Sequence, residues 1–481
     1  MLCQFPAVAF LGVIPHESGP TSQGPRIRAV AAGCSDGKWT ADDSPRFRLR
    51  LSRKSHAMKP LLAVACLVAS CGLFFPLGPA AAAELPDLVV PDGLGVNIHF
   101  TDPRPGEMEM LTQAGFRWVR MDFHWSAMER EKGVYDFSQW DRLVAVLEKH
   151  SLRAVFVLDY GNPLYDAGKP PAADEARAAF ARWAAAGVKH FIGRGIVWEI
   201  WNEPNYSLFW GPKPDVGQYV RLATAVGKAI REAAPHEIVV GPATSRVDFV
   251  FLEACFQGGL LEYFDGVTVH PYRALGPETV AKDYEQLRQL IAKYAPKGKK
   301  IPILAGEWGY SSAWRATDET KQGKVLPREF LTNLLHGVPL SIWYDWHDDG
   351  QDPQEFEHHF GTVYFEYTAG KSPVYRPKPA YLAAQTLTRQ LGGYRLKERL
   401  AVGEADDYVL ALVNDKKDVR WVAWTTTATP HTINIVLPAG KYSVVGHTGE
   451  ALPNLTADPN GLSVSLTDAP SYLAAEPSNK R

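Results

Sequence analysis

Between Leu94 and Leu391, eight short runs rich in β-branched and aromatic residues alternate with eight longer stretches of helical spacing. The strand-like runs are Leu94 to Phe100, Trp118 to Trp125, Ala154 to Tyr160, Ile196 to Trp201, Ile238 to Pro242, Gly266 to His270, Ile301 to Ala305 and Leu340 to Trp346. The helical stretches cover 107–115, 137–150, 174–189, 216–234, 247–256, 277–294, 328–336 and 379–391. Strands separated by helices pair in parallel through crossovers, and eight such units close on themselves. The expected fold is therefore α/β, a (β/α)8 barrel spanning 84–392. From Tyr394 the texture changes to short alternating runs, among them Tyr408 to Val413, Arg420 to Thr425, Thr432 to Val436 and Lys441 to Val445, broken by Asn, Asp, Pro and Gly. That pattern predicts a small β-sandwich over 393–481.

In a barrel the chemistry sits where the strands end. The fourth run, IVWEIWNEPN, stops at Glu203, flanked by Asn202 and Pro204, and the seventh stops at Gly306-Glu307-Trp308-Gly309. All eight strands run the same way, so both glutamates reach one face. A facing pair of carboxylates is what glycosidic cleavage needs. One donates a proton to the leaving oxygen, and the other attacks the anomeric carbon or activates water. A separation of about 5–5.5 Å means retention through a covalent intermediate, and roughly 6.5–9.5 Å means inversion. Asn202 is placed to hold a sugar 2-hydroxyl, while Arg120 and Tyr272 are donors at other strand ends. Donors directed at one carboxylate keep it ionised, which makes Glu307 the expected nucleophile and Glu203 the acid/base.

Trp201-Asn202-Glu203-Pro204, Glu307-Trp308-Gly309, Arg120 on the second strand and His270-Pro271-Tyr272 on the sixth together resemble clan A glycoside hydrolases. Within that clan the chain is most similar to family 39-like and family 5-like bacterial enzymes. The run VRMDFHW with Met128-Glu129, the YDF segment and Pro377-Lys378-Pro379-Ala380-Tyr381 resemble secreted family 39-like endoglycosidases that trim exopolysaccharide. The resemblance covers residues 94 to about 392. It implies a retaining O-glycosyl hydrolase acting within a polysaccharide, with Glu203 as acid/base and Glu307 as nucleophile. It further implies that Asn202 orients the sugar, that Arg120 and Tyr272 support Glu307, and that His124, His270 and either Trp343 or Trp346 line the subsite at the bond to be cut. Two alternatives keep the same barrel: a carbohydrate-binding protein with weak turnover, and a transglycosylase. Glu129, on the loop after the second strand, reads as a capping or rim charge.

Met58 to Ala83 has a basic Lys59, an apolar run and an alanine exit, the layout of a secretory signal peptide. The residues before it show no sustained period, so Met58 is the expected start and the product an exported, periplasmic or extracellular protein. Val68-Ala69-Ser70-Cys71 offers a rival reading as a lipoprotein box with a lipid anchor on Cys71. Of five cysteines, only Cys255 lies beyond Ala83, so the expected mature chain forms no internal disulfide. Beyond Ala83 stand 42 Lys+Arg against 49 Asp+Glu, a net charge of −7, which argues against nucleic acid and anionic membranes as partners. A monomer without cofactor or metal is expected. The acidic loop from His347 to Pro377 lacks a full calcium-loop pattern and reads as solvated rim charge over the barrel mouth.

Overall fold

The computed structural model describes residues 84–477. Residues 58–83, read above as a signal peptide and containing Cys71, and the stretch before Met58 lie outside the described residues. Eight parallel strands close into a barrel: β1 (Leu94–Asn97), β2 (Trp118–His124), β3 (Arg153–Asp159), β4 (Val197–Ile200), β5 (Ile238–Ser245), β6 (Gly266–His270), β7 (Ile303–Trp308) and β8 (Ser341–Trp343). Closure comes from β1, which pairs with β2 on one side and with β8 on the other.

A helix follows each strand, the last of them Pro379–Leu391. Asp215, Asp248 and Asp318 start three of these by accepting from the backbone N–H of Gln218, Phe251 and Lys321, at 3.0, 3.0 and 2.7 Å. The third cap corrects the sequence reading. The helix begins at Glu319, not Arg328, and carries Pro327 in its interior.

Two cores result from the period of two in the strands. Inward-facing Trp118, Val155, Val197, Ile238, Val240, Leu304, Leu340 and Ile342 plug the barrel. Outward-facing residues meet the helices, most densely around Phe123, whose ring packs against Phe137, Trp140, Phe156, Trp183, Phe191 and Trp198. Each such side chain, fully buried, contributes roughly 1.5–3 kcal/mol. Gly187 lets its helix approach this cluster, since a Cβ there would lie 2.7 Å from the Phe123 ring.

The C-terminal region is a six-stranded antiparallel sheet, in the order 394–399, 407–414, 419–425, 471–475, 440–446, 451–457, with a separate two-stranded ladder of 431–435 and 462–466. Alternation splits its strands between two faces. Val409, Ala411, Trp421 and Ala423 pack on Ile433, Ile435, Val464 and Leu466 of the ladder, whereas Leu410, Leu412, Val422 and Trp424 join the core shared with the barrel. The Trp424 indole donates to Glu278 at 2.7 Å, and Arg328 pairs with the same carboxylate at 2.7 Å. The sheet is thereby fixed to the barrel's outer helices.

Candidate active site

Two departures from regular strand geometry deliver the glutamates to the barrel mouth. After β4 the chain turns through left-handed conformations at Trp201 (φ 68°) and Glu203 (φ 44°), which cost non-glycine residues of order 1–3 kcal/mol each and persist only where the surroundings enforce them. Here the Trp201 ring is buried against Tyr160, Phe180 and Trp210, and the Glu203 N–H donates to the Ala243 carbonyl at 3.0 Å. On β7, a register shift between Ala305 and Trp308 against β8 marks a bulge. Bulges re-aim side chains, and this one turns Glu307 towards Glu203.

Arg120, only 2 % exposed, organises the floor of the site. Its Nη1 donates to Glu307 Oε2 at 2.7 Å, its Nε to Glu199 Oε2 at 2.7 Å and its Nη2 to Asn202 Oδ1 at 2.8 Å. Asn97 Oδ1 accepts from Nη1 at 3.3 Å. Desolvation works against the buried charge, but Glu199 and then Glu307 overcome it and hold the guanidinium above its ordinary pKa. The second Glu307 oxygen accepts from Tyr272 Oη at 2.9 Å. Burial, followed by the Glu307 charge, keeps that phenol well above its usual range, so it remains an O–H donor. Glu203, 7 % exposed, has a different partner: its Oε1 lies 3.0 Å from Nδ1 of the fully buried His270. One oxygen of each glutamate and one His270 nitrogen all lie within 4.8 Å of one another.

The structure thus brings together Glu203, Glu307, Asn202, Arg120, Tyr272 and His270. His270 stands behind Glu203 with 0 % exposure and does not itself line the subsite. His124 is at the mouth in a separate group, 3.3 Å from Asp159 and 3.4 Å from Asp122. The two tryptophans are not brought to the site. Trp343 stacks on Tyr310 and donates to the Phe360 carbonyl at 3.3 Å, and Trp346 donates to buried Glu107 at 3.1 Å. Both are 1 % exposed. Alternation accounts for Trp343, since Ile342 faces the barrel interior and Trp343 therefore faces the helices; Trp346 lies beyond the paired strand and turns out to Glu107. Tyr344 is half-buried, beside His99 and Phe360. Burial, then Asp345, Glu357, Asp349 and Glu307, raise its phenol well above the ordinary value. Trp346→Ala is accordingly expected to cost about 3–5 kcal/mol of stability while leaving kcat/KM of the folded enzyme unchanged. Tyr344→Ala should lower kcat/KM with little change in Tm; thermal unfolding and steady-state kinetics on both variants check this.

Several residues escaped the sequence reading. Glu199 was visible as the one charge inside the apolar run IVWEIW. Asp159 and Asp345, both buried, carry raised pKa values, from burial and then from Asp122 and Asp349 respectively. His99 overcomes desolvation through its contact with Asp345 and the charges of Asp349, Asp345 and Asp122, reaching about 9. In the loop after β8, Glu357 keeps surface open to water. Yet it sits deep enough in the cleft that desolvation, followed by Glu307, Asp349, Glu355 and Glu203, pushes it up to about 7. Not all of this loop's acids are solvated rim charges: Asp348 is buried and accepts from Lys378 Nζ and Gly361 N, both at 2.9 Å. Glu129, 1 % exposed, is a capping residue of its loop, accepting from Gly133 N at 2.7 Å and Tyr165 Oη at 2.8 Å.

Residues 96–349 match the family model described as cellulase (glycosyl hydrolase family 5). Among solved structures, a family 39 glycoside hydrolase from the gut symbiont Bacteroides cellulosilyticus WH2 is 25% identical with a TM-score of 0.70, covering 81% of each chain. A family 39 β-xylosidase from Caulobacter crescentus is 19% identical with a TM-score of 0.60, over 83% of this chain and 98% of that one. A family 30 subfamily 8 xylanase from Clostridium acetobutylicum is 13% identical with a TM-score of 0.55, again over 83% and 98%. These last two share the fold. No curated protein sequence matches the chain.

Proposed function

The chain belongs to glycosyl hydrolase family 5, the cellulase family of clan A, and from that premise we propose that this glycoside hydrolase cuts within a polysaccharide by double displacement, retaining anomeric configuration. The reading is carried by one observation: the two strand-end glutamates bring an oxygen each to within 4.8 Å, a spacing that suits direct attack better than the wider gap needed to seat a water between carboxylates. The roles follow from their partners. Glu307, held by Arg120 through one oxygen and Tyr272 through the other, is kept charged and oriented. It attacks the anomeric carbon while Glu203 gives its proton to the departing oxygen, leaving a glycosyl ester on Glu307. Glu203, now a carboxylate, takes a proton from water; the hydroxide so formed attacks the same carbon and releases Glu307. Asn202, its carbonyl engaged by Arg120, is oriented towards the sugar.

Action within a chain is supported by a shelf of partly exposed rings beside Asn202. Tyr160 stacks on Phe209 with centroids 6.0 Å apart, and Phe209 meets Tyr206 at 6.1 Å. Such a platform extends sugar contacts beyond the bond cut. Proton NMR of the first products should show the retained anomer; initial appearance of the inverted one would remove the double-displacement reading. A rapid fall in polysaccharide viscosity ahead of reducing-end release checks the internal cut. We also read the enzyme as exported, on the strength of the leader-like 58–83, which N-terminal sequencing of the secreted protein tests.

A further inference from the structure

We propose that Glu199 is a positioning residue that selects the tautomer of His270 and thereby keeps the general-acid proton on Glu203. The inference rests on the reading of Glu203 as acid/base. Glu199 and His270 are both fully buried, and each makes one polar contact with the catalytic pair's surroundings: Glu199 Oε2 with Arg120 at 2.7 Å, His270 Nδ1 with Glu203 at 3.0 Å. Their other polar atoms, Glu199 Oε1 and His270 Nε2, are buried without a hydrogen-bond partner. Both atoms face the same point. A Cβ on Gly306 would lie 2.9 Å from Glu199 Oε1 and 3.5 Å from His270 Nε2, so the two atoms stand at most about 6.4 Å apart, a span that one water can bridge.

The chemistry of the two ends decides how that bridge is polarised. An ionised carboxylate only accepts, so the water donates to Glu199 and turns its lone pairs to the imidazole, and the nearby negative charge favours a proton on Nε2. Nδ1 is then a bare acceptor, 3.0 Å from Glu203 Oε1. That contact is a hydrogen bond only if Glu203 supplies the proton. The opposite tautomer would place an N–H against Glu203 and favour its ionised form, which cannot act as an acid. The charged and titratable groups around this chain are Arg120 on β2, Glu199 on β4, His270 on β6, Glu307 on β7, and Glu357 and Tyr272 above; Tyr219 feels the Glu199 charge from the helix layer.

Glu199→Gln tests the idea because Arg120 dictates which way the amide points. The guanidinium only donates, so it binds the amide oxygen and leaves the NH2 facing the gap, where it reverses the bridge and favours the Nδ1–H tautomer. The expected result is a basic limb of the kcat/KM profile moved to lower pH. Turnover of phenyl cellobioside or xylobioside should fall by at least about tenfold, while that of the 2,4-dinitrophenyl glycosides, which need no acid, falls by less than about threefold. Glu357→Gln, run alongside, shows whether the limb belongs to Glu357. Equal loss with both leaving groups and an unmoved limb would overturn the proposal. Should the variant fail to fold, 15N NMR of His270 in the unmodified enzyme decides: a proton on Nε2 with bare Nδ1 is expected, and the reverse refutes it. Glu203→Gln separates the two levels, since full activity there removes the acid/base reading itself, whereas an inactive Glu203→Gln beside a uniform Glu199→Gln loss removes only the role of Glu199.

Discussion

Glu307→Gln is expected to lose roughly 10⁴-fold or more in kcat, because the amide cannot form the glycosyl ester. The protein should stay folded, since Arg120 keeps Glu199 and the glutamine oxygen still accepts a hydrogen bond. Glu307→Ala opens room for an external nucleophile at the anomeric carbon. With azide it should produce a glycosyl azide of inverted configuration, as azide then attacks from the side that Glu307 occupies and no second displacement follows. A mechanism-based fluoro-sugar, incubated with the unaltered enzyme, should label the peptide containing Glu307. Label on any other carboxylate, Glu199 and Glu357 included, would reassign the nucleophile.

The second large effect is at Glu203. Its replacement by Gln removes proton donation in the first step and base catalysis in the second, each worth about 10²–10⁴-fold. The loss should therefore depend on the substrate. With a poor leaving group the first step becomes limiting and kcat/KM falls steeply. With a dinitrophenyl leaving group the first step survives and the intermediate accumulates, visible as a pre-steady-state burst and a lowered KM. Azide acting on Glu203→Ala should accelerate turnover and give the retained azide, the opposite stereochemistry to that from Glu307→Ala. Identical azide products from both variants would contradict the assignment of roles.

Backbone pattern and strand-end position were legible because they depend on local periodicity. The runs around Val197 and Ile303 could be recognised as strands from their own residues, and once strands alternate with helices, Glu203 and Glu307 must share a face. The helix expected from Arg328 starts nine residues earlier, at Glu319, where Asp318 caps it. The tryptophans of β8 were misassigned for another reason: the expected strand ran on to Trp346, but pairing with β1 and β7 covers only Ser341–Trp343. Beyond that point no strand pairing fixes the alternation, and Trp346 turns out to the Glu107 layer.

By itself the sequence determined the barrel, the two glutamates and the donors Arg120 and Tyr272, since each follows from periodicity, residue chemistry and the common direction of parallel strands. Only the tertiary structure decided how close the glutamates stand, which depends on the left-handed turn at Glu203 and the bulge before Trp308. It alone decided the partners of each carboxylate, too. The Arg120–Glu199–Glu307 ion network and the His270 contact join residues 67 to 187 positions apart, and contacts of that kind are made by packing across the barrel interior, for which no local pattern in the chain carries a signal.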